Sequence, residues 1–298
     1  MLNEAAIALM RDVFEQPELF QRSPRVVKRI VAWGARAEPV ALDHAAVVVS
    51  EEELLEELRV DSPDHEAALQ PDWTIAATLP LPAETRDRRF GSRYASAIPV
   101  QLKAASDAAA CWMESLDEGW LFLISSAPGT GWILSVGAEA VALLAKSRLV
   151  AMQIASVGPE TGRFPTSPRI VSPLCGNGWL ACGSAAMTFD PICGDGTAHA
   201  VREAILAAAV IRAIEDGGDA PSLLAHYEAR LTAGFRKHLE LCLGFYRTGG
   251  SGEWWRNEAL ALSDGTAWCA QKLGAAPAFD YRLRGFELQR VFSAIPDL

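Results

Sequence analysis

Residues 179–212 read Trp-Leu-Ala-Cys-Gly-Ser-Ala-Ala-Met-Thr-Phe-Asp-Pro-Ile-Cys-Gly-Asp-Gly-Thr-Ala-His-Ala-Val-Arg-Glu-Ala-Ile-Leu-Ala-Ala-Ala-Val-Ile-Arg. The apolar run ending at Cys182 has the character of a buried strand. Between Gly183 and Gly196, small residues mix with turn formers. From Thr197 the spacing is helical, and Ala198, Val201, Ile205, Ala208 and Ala209 can share one face. Asp216-Gly217-Gly218 stops the helix, because glycine accepts the left-handed C-terminal conformation at low cost. The unit is therefore strand, Gly/Pro loop, helix. Its loop brings Gly194 and Gly196 to a helix N-terminus, where backbone N–H groups lack partners and the dipole is positive. Such an end holds phosphate, or any ligand atom that gains negative charge. A lone Gly-x-Gly also serves as a plain tight turn, and residues 194–196 by themselves fit either reading.

The rest of the chain sets the bounds. Its 298 residues suit one large domain or two small ones, and the half that is hydrophobic is enough for a substantial core. A net charge of −10 with no concentrated basic run argues against nucleic acid as a partner. The N-terminus has acidic residues where a signal peptide would be basic. Residues 120–138 lack charge but contain Pro128 and several glycines, so no membrane helix is expected. The six cysteines are scattered without zinc-like spacing. They read as reduced thiols of a cytoplasmic protein, with no metal site.

In chain order, Asn3 caps a helix running toward Pro17, and strands follow at 26–34 and 40–49. Ser50-Glu51-Glu52-Glu53 opens a second helix with acids placed well against its dipole. Residues 60–99 are rich in Pro, Asp and Arg, and Trp73 to Leu81 is the one plausible strand there. Arg86, Arg88, Arg89 and Arg93 read as a solvated loop or, alternatively, as an anion site. Three antiparallel strands occupy 110–137, with Ala127-Pro128-Gly129-Thr130 as the last turn. A helix covers 139–148. Helical patterns at 222–246 and 253–273 flank Gly249-Gly250-Ser251-Gly252. Leu223, Leu224, Tyr227, Leu231, Phe235, Leu239 and Cys242 mark the first, and Trp254, Trp255, Leu260, Trp268 and Leu273 the second. Residues 277–298 show no motif. Asp190 and Asp195 read as turn and cap residues. His199 is either an acid–base group or a backbone cap.

The string from Gly183 to Gly196 resembles the second flavin-contacting motif of FAD-dependent monooxygenases with the p-hydroxybenzoate hydroxylase fold. The resemblance is closest to the branch shared with flavin-dependent tryptophan halogenases. Gly183, Ala185, Ala186, Phe189, Asp190, Pro191, Gly194 and Gly196 fit the motif, while Ser184 stands where the family usually has Asp. Gly119-Trp120-Leu121-Phe122-Leu123-Ile124-Ser125 is similar to the halogenases' Gly-Trp-x-Trp-x-Ile-Pro, with Phe122 for the second Trp and Ser125 for Pro. Three departures stand out. The sequence has no Gly-x-Gly-x-x-Gly, the turn by which the family holds the FAD pyrophosphate. Met1 to Ala6 resembles the segment that follows that unit, so the sequence reads as starting after it or as a shortened relative. Ser50-Glu51-Glu52 replaces a flavin-contacting Arg, and Ala76-Ala77-Thr78-Leu79-Pro80 does not match Asp-Ala-Thr-Gly-Arg.

The resemblance implies an α/β (α+β) fold: an FAD-binding three-layer architecture with an antiparallel substrate-side sheet and C-terminal helices. Residues 1–298 would form one unit, with 1–59 and 164–220 on the cofactor side, 73–150 in the substrate-side sheet and 221–298 helical. FAD would contact Gly183, Ser184, Pro191, Gly194, Asp195, Gly196 and Thr197. Trp120 and Phe122, with Trp254 and Trp255, would wall a pocket for a small aromatic or peptide-borne substrate; ordinary core packing is the other reading of these aromatics. The expected activity is flavin-dependent oxidation, monooxygenase- or halogenase-like, served by a separate flavin reductase. Oxidation is the better fit, since no residue here matches the halogenases' catalytic Lys. The alternative is a cofactor-free relative that binds a small molecule or a peptide.

Overall fold

A computed structural model describes residues 1–35, 37–58, 72–274 and 280–291. Asn3 ends the short strand β1 (Leu2–Asn3) and caps α1 (Glu4–Val13), its Oδ1 accepting from Ala6 N at 2.8 Å. β2 (Arg25–Ala32) and β3 (Val40–Val47) form a hairpin. Ser50 caps α2 (Glu51–Glu57) through Glu53 N. Then come β4 (Thr74–Ala76), β5 (Arg86–Arg89), β6 (Tyr94–Leu102), β7 (Ala110–Leu116), β8 (Gly119–Ala127) and β9 (Thr130–Gly137). α3 (Ala140–Lys146) leads to β10 (Ile154–Val157), β11 (Gly162–Pro165), β12 (Arg169–Ser172), β13 (Cys175–Gly176) and β14 (Trp179–Ala181). A single turn, α4 (Gly183–Ala186), and β15 (Met187–Thr188) precede three long helices. These are α5 (Gly196–Glu215), α6 (Ala220–Gly249) and α7 (Glu253–Gly274). The hairpin β16 (Tyr281–Arg284) and β17 (Glu287–Arg290) follows.

The main sheet has the order β1-β3-β2-β7-β8-β9-β6-β10, with β11 also paired to β6. All its pairs are antiparallel except β2–β7, which runs parallel with Lys28 opposite Ala110. The expected strands at 110–137 are its centre. The strands of 25–47 join the same sheet, which thus crosses the boundary drawn between 1–59 and 73–150. Alternation along β8 sends Leu121 and Leu123 to one face, against Leu143 of α3. Trp120 goes to the other face, where it packs with Tyr246 and Trp255 of the C-terminal helices.

Two small sheets support the stretch at 179–196. β14 lies between β13 and β4 and pairs parallel with β4, Ala181 opposite Ala76. β12 lies between β15 and β5. The strand expected at 73–81 therefore exists over Thr74–Ala76. The arginines 86–89, expected in a solvated loop, form β5, an exposed edge strand paired with β12.

The helical faces needed correction. In α5 the buried residues are Ala198, Glu203, Leu206, Ala207, Ala209 and Val210; Ala208 is exposed and Ile205 half-buried. An alanine-rich helix has little hydrophobic contrast, so its pattern fixes the helix but not its rotation. In α6 the stripe Leu223, Tyr227, Leu231, Phe235, Leu239 and Cys242 is buried as the spacing predicts. In α7, Leu260 faces solvent and Leu262 and Cys269 are buried instead. The hairpin β16–β17 was not foreseen in 277–298. Gly285, at φ +59°, is its turn.

Candidate functional site

The strand, loop and helix of 179–212 are built as their chemistry requires. Gly183 leaves β14 at φ +56°, a conformation that L side chains rarely adopt. Its N–H donates to Glu203 Oε2 at 2.8 Å, so α5 holds the start of the loop. Arg169 of β12 holds the next turn: its Nη2 donates to the carbonyl oxygens of Ser184 and Ala185, and Nη1 pairs with Asp87 at 2.8 Å. The Ser184 hydroxyl donates to Ala77 O over a long 3.4 Å, which joins it to the segment after β4.

Gly183, Ser184, Pro191, Gly194, Asp195, Gly196 and Thr197 all line one concavity of about 420 Å³, together with Phe189 and Ala200. This is within the roughly 300–1,000 Å³ usual for small-molecule sites. A Cβ placed on Gly194 or Gly196 would meet nothing within 4 Å, so the glycines face open space and allow a planar group to approach the backbone. No side chain caps the first N–H groups of α5. His199 N donates to Asp195 O at 3.1 Å, and His199 Nε2 lies 3.1 Å from Asp195 Oδ2. The His199 ring stacks on Phe189 with centroids 4.3 Å apart. Burial pushes the Asp195 carboxyl up, but the His199 hydrogen bond and charge outweigh it and hold the group below its ordinary value.

Behind the loop lies a buried charged network. Asp190 Oδ1 accepts from Ile192 N at 3.0 Å, the turn role expected of it. Its Oδ2 accepts from Tyr246 Oη at 2.9 Å and lies 3.0 Å from Arg93 Nε. Arg93 also pairs with Glu258, which accepts from Ser92 N and Oγ. The guanidinium sits over the Tyr246 ring, 4.6 Å from its centroid. Arg93 is 1 % exposed, a correction to its placement in a solvated loop. Burial raises Asp190 against the pull of Arg93, which itself stays protonated. Asp190 N donates to His238 Nε2 at 2.9 Å, and burial pushes the His238 imidazole down to about 4.

Two residues missed in the sequence stand out at the site. Glu203 is 5 % exposed, and burial raises it to about 7 despite the Gly183 N–H. His238 belongs to a thiol–imidazole cluster: the ligand atoms of Cys193, His238 and Cys242 lie within 4.8 Å of one another, a grouping the scattered cysteine spacing hid. All six cysteines are free.

The aromatic residues expected around a substrate are brought together in the core. Trp120 and Trp255 are each 1 % exposed. Trp120 Nε1 donates to Tyr246 Oη at 3.2 Å and Trp255 Nε1 to Leu116 O at 2.8 Å. Trp254 stands edge-on to Trp255 at 4.8 Å, and Phe122 is half-buried against the same core. No helix among the described residues is long and apolar enough to cross a membrane.

Solved structures share this architecture. The flavin-dependent halogenase CmlS superposes with a TM-score of 0.70 at 17 % identity, over 93 % of this chain and 63 % of its own. The fold is that of the flavin-dependent halogenases. The myxobacterial chondrochloren halogenase CndH gives a TM-score of 0.70 at 14 % identity, over 92 % of this chain and 81 % of its own. QhpG, a peptidyl tryptophan dihydroxylase, gives 0.66 at 17 %, over 97 % and 77 %. The chain thus spans less than two thirds of the length of CmlS. No protein-family model matches it, and no curated protein matches it by sequence.

Proposed function

We propose that this chain is an FAD-dependent oxidoreductase, monooxygenase- or halogenase-like, acting on a small aromatic or peptide-borne substrate with a separate flavin reductase. The observation that carries the reading is the concavity in which all seven expected contact residues converge on an uncapped helix N-terminus. The residues fit the ring-edge half of the cofactor. Gly194 and Gly196 leave the space a flat ring needs, and the first N–H groups of α5 suit an edge that carries negative charge. A bound flavin would supply the redox chemistry with oxygen. The protein would orient it: Arg169 and Glu203 fix the loop, and the network behind Asp190 keeps the 189–191 wall rigid. The grip on the pyrophosphate has no counterpart in the Gly-x-Gly motifs of this sequence.

The test is a titration of the protein with FAD, followed by absorbance and by quenching of flavin fluorescence. The expected result is a yellow complex, formed by the parent and lost in Gly196→Val with helix content unchanged. No complex with FAD at tens of micromolar would remove the reading. A Gly196→Val protein that binds like the parent would place the ring on another element.

A further inference from the structure

A second cavity, of about 560 Å³, opens between α5, α6 and the β16–β17 hairpin. Its interior is apolar and aromatic, with Phe189, Leu206, Leu231 and Tyr281 among the lining. Its rim is cationic: Arg202, Arg230, Lys237 and Arg282 all line it and are all exposed. Four positive charges around one opening run against a chain whose net charge is −10. Arg202, Lys237 and Arg282 make no ion pair among the described residues. The acid in the lining is Glu203, which burial raises to about 7, so near neutrality it offsets the rim only in part.

This arrangement has a chemical complement. An apolar body gains by leaving water for the inner wall, in proportion to the area it buries there. A carboxylate at the mouth meets guanidinium forks that match its geometry. Clustered charge of one sign at the mouth of a cleft also raises the local concentration of the opposite ion. We propose that this cavity binds an amphipathic organic acid, an aryl or alkyl carboxylate, with its apolar body against Phe189, Leu206 and Leu231 and its carboxylate between Arg202 and Arg282. The proposal does not rest on the flavin reading. The two concavities share Met187 and Phe189 as wall residues, but the acid needs no cofactor beside it.

The experiment is calorimetric titration of the full chain, with no flavin added, using 1-naphthaleneacetate, its neutral amide and inorganic phosphate. The acid should bind, and both the amide and phosphate should bind about tenfold more weakly or not at all. The double variant Arg202→Gln/Arg282→Gln changes only exposed side chains and should weaken the acid by about tenfold. Gly234 offers a second arm. It lines the cavity on α6, and a Cβ there would meet nothing within 4 Å. Gly234→Phe should fill the cavity and block the acid while circular dichroism stays unchanged. An amide that binds as tightly as the acid, phosphate that matches the acid, a double variant with unchanged affinity, or no heat from the acid at about 1 mM would each overturn the proposal. Because no flavin is present, a failure to bind FAD leaves this result readable on its own.

Discussion

Asp190 and Asp195 are five positions apart on one loop and live in opposite surroundings. Asp190 is 1 % exposed and is tied to Arg93, Tyr246 and the Ile192 amide. Asp195 is half-buried at the lip of the concavity, with His199 beside it. The loop is thus anchored on one side by a dense polar network and left open on the other by Gly194 and Gly196. A site that must admit a ligand and hold its wall still needs both halves. The lesson is that the motif divides its work: its acidic and aromatic members build, and its glycines leave room.

The largest expected effect lies on the anchored side. Arg93→Ala leaves Asp190 and Glu258 buried without their cation, which should cost about 3–5 kcal/mol in urea unfolding. A loss below about 1 kcal/mol would break the contrast, because it would mean the network is wet.

Next come two titrations of opposite sign. Glu203 ionises near pH 7 in the fold against 4.5 ordinarily, so stability present below pH 4.5 is lost as pH rises through 7. Glu203→Gln can still accept the Gly183 N–H. It should match the parent near pH 4 and exceed it at pH 8 by at most about 3 kcal/mol, from about 1.4 kcal/mol per pH unit. His238 stays neutral in the fold down to about 4, whereas the ordinary value is 6.5. Stability present above pH 6.5 is therefore lost as pH falls toward 4, and His238→Gln should match the parent above pH 6.5 and exceed it near pH 4 by a similar amount. Thermal melts from pH 4 to 8 read both. Because the two windows overlap with opposite sign, the parent changes little between about pH 4.5 and 6.5, and the variants carry the test: Glu203→Gln and His238→Gln proteins that both track the parent from pH 4 to 8 would show that neither group is as buried as the structure has it.

The smallest effects belong to the open side. Gly196→Val should change unfolding by less than about 1 kcal/mol, since a Cβ there meets nothing within 4 Å. A larger loss would show that the loop is a tight turn and not a cradle. Ser184→Ala removes one long hydrogen bond to Ala77 O and should cost about 0.5 kcal/mol in stability or FAD affinity, the low end for a neutral bond.

The strand–loop–helix unit was legible because glycine, proline and hydrophobic period are local signals. Asn3 was legible as a cap, and Ser50-Glu51-Glu52-Glu53 as the opening of a helix, for the same reason. Arg93 was not, because its meaning sits in Glu258, 165 residues away. Ser92 and Tyr94 on either side of it are exposed, and only the fold shows that Arg93, just before β6, lies inside the core. Glu203 was lost in an alanine-rich helix that looks alike on every side. The hairpin β16–β17 is short and mostly exposed: Tyr281-Arg282-Leu283-Arg284 alternates over only four residues and Glu287-Leu288-Gln289-Arg290 offers a single apolar one, too little to announce a strand pair. The Cys193–His238–Cys242 cluster joins a loop to a helix, and no spacing rule reaches that far.

The parallel pairing of β2 with β7 has a consequence in time. Lys28 meets Ala110, and 110 minus 28 is 82 residues of chain. At about 5–20 residues per second, a ribosome takes about 4–16 s to deliver that stretch. For most of that interval, once Val47 has been made, the β2–β3 hairpin is complete but the strand that will sit at its side is not. Closing so long a loop is also entropically slow compared with the local hairpins β7–β8 and β8–β9, which should zip first. The central sheet therefore assembles from its later half, and β2 docks onto an edge already formed.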